Sequence, residues 1–195
     1  MLRQFFLLLS LFFVLNSLLF LTPKPSVLGT TTVTASIDTS CAGVTIKITP
    51  ENRIPPTGND ALEINVDIRH QNSSTSLYNT TFGTDNGGQG SFCIPPGIIT
   101  AGHYDVYVKG LSHLRRIFPY REFLTDNTTL DIRNPVLWAG DSHPTSDNYV
   151  NSMDISYEIL KIYTNDLRAD LNRDSIVNSL EFPTLLSHLY QYGDN

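Results

Sequence analysis

Between residues 170 and 181 the oxygen-bearing side chains fall on a fixed spacing. Asp170, Asn172, Asp174, Asn178 and Glu181 occupy positions 1, 3, 5, 9 and 12 of a twelve-residue loop, with Val177 at position 8. A hard divalent cation such as Ca2+ asks for six to eight oxygens, and a tight loop presents alternate side chains inward while the position-7 carbonyl, here that of Ile176, adds another. Glu181 is long enough to bind through both oxygens. Helical apolar spacing follows at Phe182, Leu185, Leu186 and Leu189, and Pro183 is tolerated in a first turn. A crowd of Asp and Asn in a surface turn is common, but five matched positions leading into a helix are not.

An internal repeat supports the same chemistry. Val150-Asn151-Ser152-Met153-Asp154 matches Val177-Asn178-Ser179-Leu180-Glu181 at an offset of 27 residues, and Ile155, Ile159 and Ile162 continue the first copy at helical spacing. Duplicated units of this kind bury their apolar faces on each other, so two packed helices are predicted. The first loop carries Asp141, Asp147, Asn151 and Asp154 and is two residues longer than the second. Counting back from Asp154 without an insertion would put His143 at position 1. We place Asp141 there, because an imidazole is a poor ligand for calcium. Position 6, usually Gly, is Asn148 in one loop and Ser175 in the other, and Asn tolerates a positive φ better than Ser does.

The elements that must carry these loops divide the chain in two. Residues 30–135 show short runs rich in Val, Ile, Thr and Tyr between Gly, Pro and Asn clusters, which predicts strands at 32–37, 44–48, 62–68, 90–94, 104–108 and 128–132. In the third, Leu62, Ile64, Val66 and Ile68 alternate with polar residues, so one face is wet and the other buried. Turn signals at Pro55-Pro56-Gly58-Asn59 and Asp85-Asn86-Gly87-Gly88 suggest hairpins. The fold class that follows is mainly β with a small α module: an antiparallel β-sandwich over 30–135 and a two-helix calcium-binding unit over 136–195.

Residues 1–29 read as an export signal: Arg3, an apolar run from Phe5 to Leu21, then Thr22-Pro23-Lys24-Pro25, with Val27 and Gly29 set for cleavage before Thr30. The rival reading is an uncleaved membrane anchor, the only route by which a membrane would be involved. Either way a secreted or cell-surface location is expected. Cys41 and Cys93 are the only cysteines and, in an exported chain, pair as a disulfide.

The net charge of −6 sits entirely in the tail. Residues 1–135 carry ten acids and ten bases, whereas 136–195 carry nine and three. Such a tail suits a cation and argues against nucleic acid as a partner. Other features are read structurally. His113, Arg115, Arg116 and Arg121 are assigned to a solvated loop. His70, His103, His113 and His188 lack nucleophile-base spacing and are taken as surface or satisfied structural residues. Trp138 is taken to staple sandwich to tail. Asn72, Asn79 and Asn127 begin glycosylation sequons. Gly140-Asp141-Ser142 superficially resembles the nucleophile block of a Gly-Asp-Ser esterase, yet too little chain follows for the α/β core of such a hydrolase, so no enzyme is expected.

Residues 139–190 resemble a type I dockerin: two loop-helix halves of about 27 residues, without the leading helix of a full EF-hand, on an exported chain. That resemblance implies calcium in the loops, at the second with the first as a further candidate, and a cohesin-like partner met through positions 10 and 11, here Ser152 and Met153 in one half and Ser179 and Leu180 in the other. It implies an attachment protein in a polysaccharide-associated or cell-surface assembly. The alternative is a calcium-rigidified surface structural protein or adhesin. More loosely, Gly102-His103-Tyr104-Asp105-Val106-Tyr107-Val108 resembles a strand of carboxypeptidase regulatory-like and other Ig-like modules.

Overall fold

In the computed structural model, residues 41–53 and 58–195 are described, all within one compact unit, Asp38–Asn195. The predicted strand at 32–37, the export segment and its cleavage point lie outside the described residues. Among the described residues no helix is long and apolar enough to cross a membrane.

Among the described residues seven strands form two sheets: β1 (Ala42–Lys47), β2 (Glu63–Arg69), β3 (Ser76–Gly83), β4 (Gln89–Ile94), β5 (Gly102–Gly110), β6 (Arg116–Phe123) and β7 (Asn127–Asp131). One sheet has the order β4-β1-β7 and the other β3-β2-β5-β6. Alternation decides the packing. Ile64, Val66 and Ile68 of β2, Val106 and Val108 of β5, Val44 and Ile46 of β1, and Leu130 of β7 turn inward and close one apolar core with Ile94, Phe118 and Phe123. The Cys41–Cys93 disulfide joins the start of β1 to β4, with the Cα atoms 5.6 Å apart.

Among the described residues the molecule is thus a mainly β sandwich with two small helices, and three details depart from the sequence reading. The sandwich is not wholly antiparallel, since β1 pairs with β7 in parallel. The two turn signals are not hairpins: β1 and β2, and likewise β3 and β4, belong to different sheets, so both connections carry the chain from one sheet to the other. At the second, Asp85 Oδ1 accepts from Gly87 N and Gln89 N, both 2.9 Å, and Gly88 takes φ +71° where a Cβ would meet the Ile48 carbonyl. Finally, β3 and β6 were not anticipated. Both are edge strands, and β6 holds Pro119 beside Tyr120 at φ 57°, with a register shift opposite Tyr104 and Val106. The supposed solvated loop is therefore part of this strand and its approach: His113 is buried, and Arg116 lies over the Trp138 ring at 4.4 Å.

After β7 the chain forms helices α1 (Ser152–Lys161) and α2 (Phe182–Ser187), each preceded by one of the two acidic loops. A second apolar cluster of Leu114, Ala139, Val150, Leu171 and Leu185 joins this segment to the sandwich, with Trp138 and Ile155 packed against it.

Candidate metal centre

The second loop gathers its carboxylates. Ligand oxygens of Asp170, Asp174 and Glu181 all lie within 4.8 Å of one another. Backbone N–H groups hold the outer oxygens: Ser175 N donates to Asp170 Oδ2 at 3.0 Å, Ile176 N to Asp174 Oδ1 at 3.0 Å, and Asn178 N to Glu181 Oε2 at 2.6 Å. Ser175 reaches φ 79° to make its bond. The inner oxygens, Asp170 Oδ1 and Glu181 Oε1, are buried with no hydrogen-bond partner. Burial is the main cause that raises the Glu181 carboxyl above its ordinary range, the bond from Asn178 N offsets part of it, and Asp174 and Asp170 add repulsion. Buried carboxylate oxygens without donors are costly unless a cation faces them, so this donor set fits a hard divalent ion. Asn172 and Asn178 stand in the same loop: Asn172 Oδ1 accepts from Asp174 N at 2.8 Å, and Asn178 Nδ2 donates to the Ile176 carbonyl at 3.2 Å.

Asn178 and Glu181 also shape the turn that leads into α2. Asn178 Oδ1 accepts from Leu180 N at 2.8 Å, and the first loop repeats the device, with Asn151 Oδ1 taking Met153 N at 2.7 Å and Asp154 Oδ2 taking Asn151 N at 2.8 Å. Positions 9 and 12 therefore form a capping box on α1, whereas in the second unit the same bonds close the turn ahead of α2, whose N-cap Glu181 makes no side-chain cap bond.

The first loop places Asp141 as the counterpart of Asp170, since Asn148 N, at φ 65°, donates to Asp141 Oδ2 at 3.0 Å. Its carboxylates do not gather, however. Among the described residues only the second loop brings three together. Asp154 gives its other oxygen to His143 N at 2.9 Å, Asp147 Oδ1 caps Tyr149 N at 3.1 Å, and Asp141 Oδ2 is ion-paired with Lys109 of β5.

The two units are related by the 27-residue offset in three dimensions as well. Val177 exchanges backbone bonds with the turn after α1, through Tyr163 N and Thr164 O, both at 2.8 Å. Val150 does so with the turn after α2, through Tyr190 N at 2.8 Å and Gln191 O at 3.0 Å. Tyr163 and Tyr190 share φ 65°. Within α1 the expected packing holds only in part, with Ile155 against the second cluster. Asp154 and Glu158 are its buried residues, whereas Ile159 is exposed. The exposed apolar residues repeat instead: Met153 and Leu180, Ile159 and Leu186, Tyr163 and Tyr190 are pairs at offset 27, each more than 40% exposed. Ser152 and Ser179 are exposed beside the first pair. Leu180 borders a groove with Pro50 and Glu51, and Met153 one with His143 and Leu160.

Polar contacts tie this segment to the sandwich. The buried Arg53 donates to the Leu171 carbonyl at 3.2 Å, Arg168 to the Leu111 carbonyl at 3.0 Å, and Asn52 to Thr184 Oγ1 at 2.8 Å. Trp138 carries the Arg116 guanidinium over its ring, and the His188 ring stacks on it at 5.2 Å. His113 corrects the histidine reading: it is buried, neither ring nitrogen has a partner, and burial pushes its pKa well down. The Ser142 hydroxyl is buried beside Glu158 and makes no hydrogen bond to a histidine. The final residues clasp the first loop, with Asp194 N donating to the Arg115 carbonyl at 2.8 Å and Gly193 N to the Asn148 carbonyl at 3.0 Å. A Cβ on Gly193 would sit 2.6 Å from Arg115 N. Gly193→Ala is accordingly expected to undo the clasp and cost about 1–3 kcal/mol, read from the urea midpoint of the full chain.

No protein-family model and no curated protein sequence matches the chain. Among solved structures it is similar to chains from two mutants of a type II cohesin–X-dockerin complex from Acetivibrio cellulolyticus. For the N-terminal interface mutant the identity is 20%, for the C-terminal interface mutant 21%. Both matches have a TM-score of 0.55 and cover 78% of this chain and 97% of the other. The chain therefore has a β-sandwich fold of the kind found in cohesin–dockerin complexes.

Proposed function

We propose that this chain is an exported, non-catalytic attachment protein whose C-terminal unit takes calcium in its second loop and presents a duplicated apolar surface to a cohesin-like partner. The observation that carries the reading is the repeat of exposed apolar pairs, Met153 with Leu180, Ile159 with Leu186 and Tyr163 with Tyr190. Both copies leave the same apolar residues exposed at the same places, as a surface that meets a partner would. Calcium supplies the order: an ion between Asp170, Asp174 and Glu181 binds only the folded loop and so stabilises it by mass action. The structural likeness extends past the sandwich strands into the C-terminal segment. Strands β1 to β7 run from residue 42 to 131, less than half of the 195 residues, whereas the likeness covers 78%.

The alternative, a surface structural protein merely rigidified by calcium, is favoured by the clasp of residues 193 and 194 on the sandwich. One experiment separates the readings. Full chain on a support is offered purified cohesin domains, and separately dockerin domains, in calcium or in chelator. Cohesin is expected to be retained in calcium, released by chelator and weakened at least tenfold by Met153→Asp with Leu180→Asp. Retention of dockerin instead would put this chain on the cohesin side. No retention of either, with calcium still protecting against proteolysis, would favour the structural protein.

A further inference from the structure

We infer that the first loop takes no divalent ion, because the Lys109 ammonium from the sandwich and the backbone N–H of His143 already stand where a cation would act. The inference deepens the calcium reading and rests on it for the second loop alone.

The two loops invite a comparison atom by atom. In both, the position-1 aspartate receives the position-6 N–H on Oδ2, and in both the position-12 carboxylate receives the position-9 N–H. They differ in what remains. In the second loop Glu181 Oε1 is buried and free to face an ion. In the first loop the matching oxygen, Asp154 Oδ1, accepts from His143 N at 2.9 Å, and His143 belongs to the stretch in which this loop is longer. Asp154 is also one methylene shorter than Glu181, so it cannot reach as far into the loop.

Charge is answered differently too. Lys109 Nζ pairs with Asp141 Oδ2, donates to the His113 carbonyl at 2.9 Å, and is attracted by Asp147 as well. Its side chain is 13% exposed and that of Asp141 fully buried, so the pair is shielded from solvent. A fixed ammonium beside two of the four presumed ligands repels a divalent ion and cancels the charge that would attract one. One buried oxygen, Asp141 Oδ1, stays without a partner. A single oxygen falls far short of the six or more that calcium requires. In the second loop Asp170 attracts the guanidinium groups of Arg53 and Arg173, but among the described residues no cationic side chain is ion-paired with Asp170, Asp174 or Glu181, and Arg53 makes its hydrogen bond to the Leu171 carbonyl.

The test counts ions and needs no variant to begin. Native mass spectrometry of the full chain at saturating calcium is expected to show one bound ion, and none in Asp170→Asn. Two ions in the wild type, or one surviving in Asp170→Asn, overturns the inference. No ion in the wild type overturns the calcium reading of the second loop instead, and the Lys109 assignment is then decided by melting in chelator. There Lys109→Met and Asp141→Asn should each lower the midpoint, and the double variant should fall no further than the worse single one. Additive losses would show that the two groups do not act as a pair and would overturn the role given to Lys109.

Discussion

Glu181→Gln is expected to weaken calcium binding by more than a hundredfold in a calorimetric titration of the full chain, equivalent to a loss of about 2.7 kcal/mol or more. The residue is fully buried at the start of α2, one oxygen held by Asn178 N and the other without a donor. The amide keeps the size of the side chain and one acceptor but removes the charge and turns an NH2 group toward the ion, so bidentate ligation is lost. Because burial already raises the Glu181 carboxyl, acid should act in the same direction as the mutation. Its proton competes with the metal, and affinity should fall as pH drops toward the carboxylate range. Asp147→Asn serves as the control, since Asp147 lies in the first loop and caps a backbone N–H. A dissociation constant for Glu181→Gln within threefold of wild type would remove Glu181 from the ligand set.

That centre was legible because its parts are close in sequence. Twelve consecutive residues hold the donors of the second loop, and the offset of 27 can be read without knowing where either copy sits. The central strands were legible for a similar reason, as Ile64, Val66 and Ile68 of β2 and Tyr104, Val106 and Val108 of β5 recur at every second residue and join the core, although Asp67, Asp105 and Tyr107 between them are buried as well. Edge strands β3 and β6 were hidden, since one carries polar residues on both faces and the other a proline and three arginine or glutamate side chains. Periodicity also failed to orient α1. Spacing tells which residues share a face, yet whether that face turns inward depends on what it meets, and Glu158, not Ile159, turned inward. The closure of the first loop by Lys109 was beyond reach for another reason: 32 residues separate Lys109 from Asp141, and only the docking of the loop on β5 brings them together.

Glu158→Gln should stabilise the calcium-free protein at alkaline pH and leave it nearly unchanged in acid. Glu158 is fully buried on the inner face of α1, and neither of its oxygens has a hydrogen-bond partner. Burial is the main cause that pushes its carboxyl up to about 8, the nearby Ser142 hydroxyl offsets part of the shift, and the charges of Glu181 and Asp154 add to it. In the unfolded chain the same group ionises near its ordinary value of 4.5. Below that value it is protonated in both states and is no burden. As pH rises from there to about 8 the unfolded chain gives up a proton that the folded one keeps, so folding loses about 1.4 kcal/mol per pH unit, at most about 5 kcal/mol in all. The amide cannot ionise and is spared this loss. Melting in chelator at pH 4.5 and at pH 8 therefore should show wild type and variant close together in acid and the variant several degrees higher in base. Equal gaps at both values would mean that Glu158 ionises normally inside the fold. Calcium should narrow the gap at pH 8, because an ion on Glu181 neutralises one of the charges that hold the Glu158 proton in place.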